Sequence, residues 1–153
     1  MTMRKNISAF TSLILVASVL LTIPGCEREK DRLDAEVRRL CAKDGGVNAY
    51  EKVKLPADKF DKFGVVLIPG KDKAKPEDDY FYERDVQYLK KGDPELWRSH
   101  HRLIRRKDGK VLGESIRYTR RGGDMPGPWH ESSFSCPDIG AQPGLEQLVF
   151  QKE

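Results

Sequence analysis

The strongest constraint on the fold is a dipeptide, Asp108-Gly109, set between two strand-like runs within Glu95 to Arg121. Glycine accepts the positive φ that a two-residue hairpin turn demands, and aspartate tolerates it, so the pair predicts an antiparallel hairpin. With these two residues as the loop, Lys107 faces Lys110 and the register of both strands follows. Trp97, His101, Leu103, Leu112, Ile116 and Tyr118 then fall on one face. Arg98, His100, Arg102, Arg106 and Arg117 fall on the other, with Ile104 and Val111. A hairpin with one buried side shows a split of this kind.

The remaining chain supplies partners for that hairpin. Glu27 to Lys43 is rich in Glu, Lys, Arg, Leu and Ala and free of Gly and Pro, so it reads as a helix. Leu33, Val37, Leu40 and Cys41 form one apolar stripe along it, and Gly45-Gly46 ends it. Val47 to Leu55 alternates as a strand that Pro56 stops. Ala57 to Phe63 reads as a turn of helix or a loop, Phe63 to Ile68 as a short buried strand, and Lys71 to Asp79 as an exposed loop. Tyr80 to Leu89 is a strand on its aromatic content, and Lys90 to Pro94 a turn. Gly122 to Pro128 is a loop, Trp129 to Cys136 a last strand and Leu145 to Phe150 an apolar tail segment. The expectation is an α+β fold in which an N-terminal helix packs on a small, mainly antiparallel sheet.

Ahead of this domain, Arg4 and Lys5 precede an uncharged, mostly apolar run from Asn6 to Pro24 that closes on Ile23-Pro24-Gly25-Cys26. Positive charge, apolar run and a small residue before a cut site are the parts of a secretory signal peptide. Ile-Pro-Gly-Cys resembles the lipobox of bacterial lipoproteins, with Ile23 at its first position, Gly25 at its third and Cys26 as acceptor. Pro24 departs from the usual small second residue. The resemblance implies cleavage before Cys26 and a diacylglyceryl group on its sulfur. It divides the chain into a signal peptide (1–25), a lipidated cysteine with a short tether (26–32) and one domain (33–153). It also implies a membrane partner through the lipid and a periplasm-facing place in the cell envelope. Glu27 after the acceptor, rather than the aspartate that marks inner-membrane retention, favours the outer membrane. An uncleaved anchor helix is the alternative, since the run is about long enough to span a bilayer. Gly122 to Pro137 and Cys41 to Gly46 resemble blocks of uncharacterised exported proteins of Gram-negative bacteria, and no activity travels with that resemblance.

After Cys26 come 26 basic and 24 acidic residues, a net charge of +2. That is too near neutral to imply nucleic acid as a partner. Cys41 and Cys136 remain, and in an oxidising compartment such a pair favours a disulfide. A zinc site would need further close-spaced ligands, and neither cysteine has a C-x-x-C partner.

Chemistry-bearing motifs are sparse. Between Arg98 and Arg121 nine Lys and Arg residues stand against Asp108 and Glu114. Arg98, Arg102, Arg106 and Arg117 form a candidate anion-binding face for anionic envelope components or another envelope protein. The alternative is a solvated face neutralised by acids such as Glu77, Asp78, Asp79 and Asp85. His100 and His101 alternate to opposite sides of a strand, so with His130-Glu131 they make a poor metal set, and no metal or cofactor is expected. His101 is expected as a hydrogen-bonded histidine at the core edge. Ser132, Ser133 and Ser135 near His130 lack the G-x-S-x-G context of a hydrolase, and the glycine-rich loop lacks phosphate-binding spacing. Trp129 reads as an anchor for that loop. The expectation is a lipid-anchored binding or structural module without chemistry of its own. An accessory subunit of an envelope complex and a small periplasmic hydrolase are the alternatives.

Overall fold

The computed structural model describes residues 24–125, 127–128, 130–138 and 143–153, with the backbone alone for 24–28. The signal segment before residue 24, the Cys26 side chain that would carry lipid, and Trp129 lie outside the described residues. Helix α1 (Pro24–Asp44) is followed by β1 (Gly46–Ala49), β2 (Val53–Leu55) and a 3-10 turn (Ala57–Lys59). Then come β3 (Tyr80–Lys90), β4 (Glu95–Arg105), β5 (Lys110–Arg121), β6 (Ser133–Cys136), a short helix α2 (Leu145–Val149) and β7 (Phe150–Lys152).

The expected stripe of α1 is the face it buries. Leu33, Val37 and Cys41 are buried, and Leu40 packs at their edge. The stretch 26–32, read as a tether, is helical. Gly45 N–H donates to the Cys41 carbonyl at 2.8 Å, and Gly46 turns the chain away at φ +131°. No helix among the described residues is long and apolar enough to cross a membrane.

Strands β3, β4 and β5 form an antiparallel meander, and β1 and β6 share the far side of β5 end to end. β1 pairs with Gly113–Ile116 and β6 with Tyr118–Arg121, so Arg117 sits at the gap between them. β2 and β7 pair in parallel as a separate ribbon. A disulfide joins Cys41 in the last turns of α1 to Cys136 in β6, with Cα atoms 5.8 Å apart.

The hairpin register differs from the expected one. The closing pair is Arg105 with Lys110, so the loop has four residues, 106–109. Gly109 N–H donates to the Arg105 carbonyl at 2.9 Å, and the Arg105 guanidinium grips both Asp108 oxygens at 2.7–3.1 Å. Both added loop residues, Arg106 and Lys107, come from the β4 side, and a shift of two residues leaves the faces as expected. A bulge then reverses them: Ile104 pairs with Val111 but Leu103 with Gly113, leaving Leu112 as the extra residue. Beyond it, Ile116 and Tyr118 share a face with Arg98 and His100, while Arg117 joins Ser99 and His101.

Both faces of the sheet are therefore partly covered. On one, α1 packs Leu33, Val37 and Cys41 against Leu96, Ile116 and Tyr118. On the other, α2 and β7 pack Leu145, Val149 and Phe150 against Leu103 and Leu112, with Val66. Gly113 permits this closeness, because a Cβ there would lie 2.6 Å from the Asn48 carbonyl and 2.8 Å from Leu145.

Two expected strands are corrected. Val47 to Leu55 is two short strands in two sheets, parted by a bend where the Tyr50 and Glu51 N–H groups both donate to the Leu112 carbonyl. Phe63 to Ile68 is no strand: Phe63 and Leu67 are 75% and 81% exposed and only Val66 is buried. Asp61 Oδ1 accepts from the N–H of Phe63 and Val65, and Gly64 sits at φ +75°. A side-chain-capped turn overrides the apolar run there.

Candidate functional site

Residues two apart along a strand share a face. On the sheet face opposite α1 this places Arg84 beside His101, His101 beside Ser115, Ser99 beside Arg117 and Thr119 beside Ser135. α2 and β7 cover only the Leu103 end of this face. The rest forms an open groove of about 580 Å³, floored by β4 and β5, flanked by Tyr82 and Arg84 of β3 and by Ser133 and Ser135 of β6. That volume is within the range of small-molecule sites.

Glu146 closes one end and is the one acidic residue among the described lining residues; it accepts from the Tyr82 hydroxyl at 2.7 Å. Burial, with that hydrogen bond, holds the Tyr82 hydroxyl far above the usual phenol range. At the other end Arg121 is 2.6 Å from Glu95, and its guanidinium lies 5.9 Å from the Trp97 ring centroid.

The two middle cations differ. Among the described residues neither Arg84 nor Arg117 has an ion pair or a side-chain hydrogen bond, and Arg117 Nε is a buried donor without an acceptor. His101 lies on the strand between them, edge-on to Tyr82 with centroids 6.4 Å apart. Burial lowers its pKa below the usual imidazole range, and the charges of Arg84, Arg117 and His100 lower it further. Three nitrogen-bearing side chains thus share the middle of the groove, and among the described residues none of the nearby carboxylates, Glu146 in the groove and Asp72 beside Arg84, is ion-paired with them.

The four arginines that the sequence set on one face are divided by the bulge. Arg98 is 3.7 Å from Asp44 and Arg102 2.6 Å from Glu83, both on the α1 side of the sheet. Arg106 leaves the hairpin loop to donate to the Asp78 carbonyl at 2.7 Å, over the Phe81 ring. Arg117 alone lines the groove. His101 is half-buried and makes no hydrogen bond among the described residues, unlike the core-edge histidine expected of it. His100 takes Glu114 Oε2 at 2.7 Å on the opposite face, and Tyr50 donates to the other Glu114 oxygen. His130 is exposed in its loop. No group of three or more His, Cys, Asp or Glu among the described residues is placed to hold a metal ion.

Sequence reasoning missed Arg84 altogether, because β3 reads as aromatic and its pairing partner is not local. Ser99, Ser115 and Thr119 carried no signal beyond their alternation. Ser133 and Ser135, first met as a weak hydrolase hint, line the groove, while Ser132 is taken up by Asp124 and Arg120.

No family model matches the chain, and neither a curated protein nor a solved structure is significantly similar to it.

Proposed function

We propose that this chain is a lipid-anchored protein of the cell envelope that binds an anionic ligand in the groove opposite α1. The observation that carries the binding reading is the orphaned Arg117 Nε, on the same face as Arg84, an exposed arginine without an ion pair among the described residues. A buried donor without an acceptor costs about 1–3 kcal/mol, and guanidinium forks suit oxyanions. A carboxylate or phosphate between the two arginines would supply the missing acceptors. Within the described residues no groove hydroxyl is hydrogen-bonded to His101, the pairing that a nucleophile would draw on. That supports binding rather than turnover.

The anchor and location rest on Ile23-Pro24-Gly25-Cys26 and on Glu27 after it, which favours the outer membrane. Two measurements test the reading. Intact mass of membrane-extracted protein is expected to show a chain beginning at a diacylated Cys26; an uncut chain with a free Cys26 thiol overturns the anchor. In calorimetric titration with small oxyanions, Arg84→Ala/Arg117→Ala is expected to abolish binding, while Arg98→Ala/Arg102→Ala on the other face leaves it unchanged. The reverse pattern overturns the groove.

A further inference from the structure

Resting on the reading of the groove as an anion site, we infer that its ligand is an acidic saccharide chain, a carboxylate-bearing oligosaccharide. The cations point to the carboxylate. Arg84 on β3 and Arg117 on β5 flank His101 on β4, about two strand spacings of ~4.8 Å apart. Both act on the same imidazole. A sheet directs its N–H groups along its own plane, so the donors that the sheet itself raises above its face are side chains. Planar forks approaching from two sides match a planar carboxylate. Compact phosphate sites commonly add backbone N–H groups from a helix start or nest; the helix start that borders this groove, Leu145–Glu146 of α2, brings the Glu146 carboxylate with it, which disfavours a compact dianion there.

The rest of the groove points to the sugar. Ser99, Ser115 and Ser133 line it and have no side-chain hydrogen bond among the described residues. A serine hydroxyl both donates and accepts, which is what neighbouring sugar hydroxyls require. Trp97 adds a flat ring at the Arg121 end. The groove is open along its length, from Tyr82 to Ser133, so a chain can lie in it without being enclosed.

The test uses full-length protein purified from membranes in detergent, titrated with trimers of galacturonate, glucuronate or mannuronate. Their methyl esters, acetate and inorganic phosphate are the comparison probes, at one pH and salt concentration. At least one uronate trimer is expected to bind tenfold or more tightly than its methyl ester, acetate or phosphate. Arg84→Ala/Arg117→Ala should weaken that trimer tenfold or more, with the near-ultraviolet dichroism of the wild type retained. Ser99→Ala/Ser115→Ala should weaken the trimer and leave acetate unchanged. If no trimer binds more tightly than acetate, or if phosphate outcompetes every trimer, the saccharide is overturned and the anion site stands. Equal binding of a trimer and its ester overturns both, as does the absence of binding by every probe.

Discussion

Single residues in this molecule do two kinds of work that the sequence does not distinguish. Arg120 and Arg121 read alike as charged strand ends, yet Arg120 is 2% exposed and Arg121 is largely open. Arg120 reaches Asp34 at 2.8 and 3.1 Å, the carbonyls of Gly122 and Ser132 at 3.0 and 2.9 Å, and the Ser132 hydroxyl at 2.9 Å. Arg120→Ala leaves Asp34 without its cation and the Gly122 carbonyl without its donor, while the Ser132 carbonyl keeps the Gly122 N–H. It should lower unfolding stability by about 3–5 kcal/mol, read by denaturant titration. Asp124 continues the network, accepting from Lys30 at 2.6 Å and from the Ser132 N–H and hydroxyl. These donors, Lys30 foremost, hold its carboxyl well below the usual carboxylate range. A carboxyl depressed on folding stabilises above its unfolded pKa, about 3.9, and that contribution fades as pH falls through the lower folded value. The melting difference between wild type and Asp124→Asn should therefore narrow below about pH 4. His101 has the opposite sense for binding. Its depressed pKa leaves it neutral at pH 7, facing Tyr82, Arg84 and Arg117 with Glu146 beyond. A bound anion favours its charged form, so anion affinity should rise as pH falls below about 6.5 in wild type and stay flat in His101→Asn.

At the scale of elements, much of the fold is legible in the sequence. The α1 stripe, the charged loop over 71–79, the aromatic β3 and the two hairpin strands follow from spacing and composition, and the Cys41–Cys136 link from the expectation of an oxidising compartment. The hairpin's face assignment does not. Asp108-Gly109 marks the turn, but Asp108 is drawn to Arg105, and the loop grows to four residues. The bulge at Leu112 depends on Gly113 fitting under Asn48 and Leu145, which are not sequence neighbours. One extra residue then sends Ile116 under α1 and Arg117 into the groove, and the site is illegible for that reason. The two covered faces make a prediction. Leu103 is fully buried in the α2 cluster and Ile116 6% exposed in the α1 cluster. Either change to Ala should cost about 2–5 kcal/mol, and because they sit on opposite faces the double variant should be close to additive. A markedly subadditive pair would mean one shared core. Arg102, paired with Glu83 at a half-open surface, should cost no more than about 1 kcal/mol on change to Ala.

At the scale of the whole molecule, α1 fixes how the groove would sit relative to a membrane. Glu29 meets Lys90 at 3.4 Å and Lys30 meets Asp124 at 2.6 Å, so the first turns of α1 lie beside the β3–β4 turn and the loop after β5. The proposed lipid on Cys26 would place that end of the sheet nearest the bilayer. Trp97 and Arg121 belong to this end, while Tyr82 and Glu146 mark the far one. The groove thus opens on the face that α1 does not cover and runs away from the anchor. A ligand entering through the open face of the groove would not have to displace lipid. Its affinity should then be the same, within about twofold, for lipidated protein in phosphatidylcholine nanodiscs and for soluble Cys26→Ala protein lacking residues 1–25. A neutral bilayer removes surface charge from the comparison, and raising salt should weaken both forms alike, because charges in an open groove are screened over about 8 Å at physiological ionic strength. A tenfold loss on anchoring would mean that the bilayer occludes the groove, and the orientation drawn from α1 would be wrong.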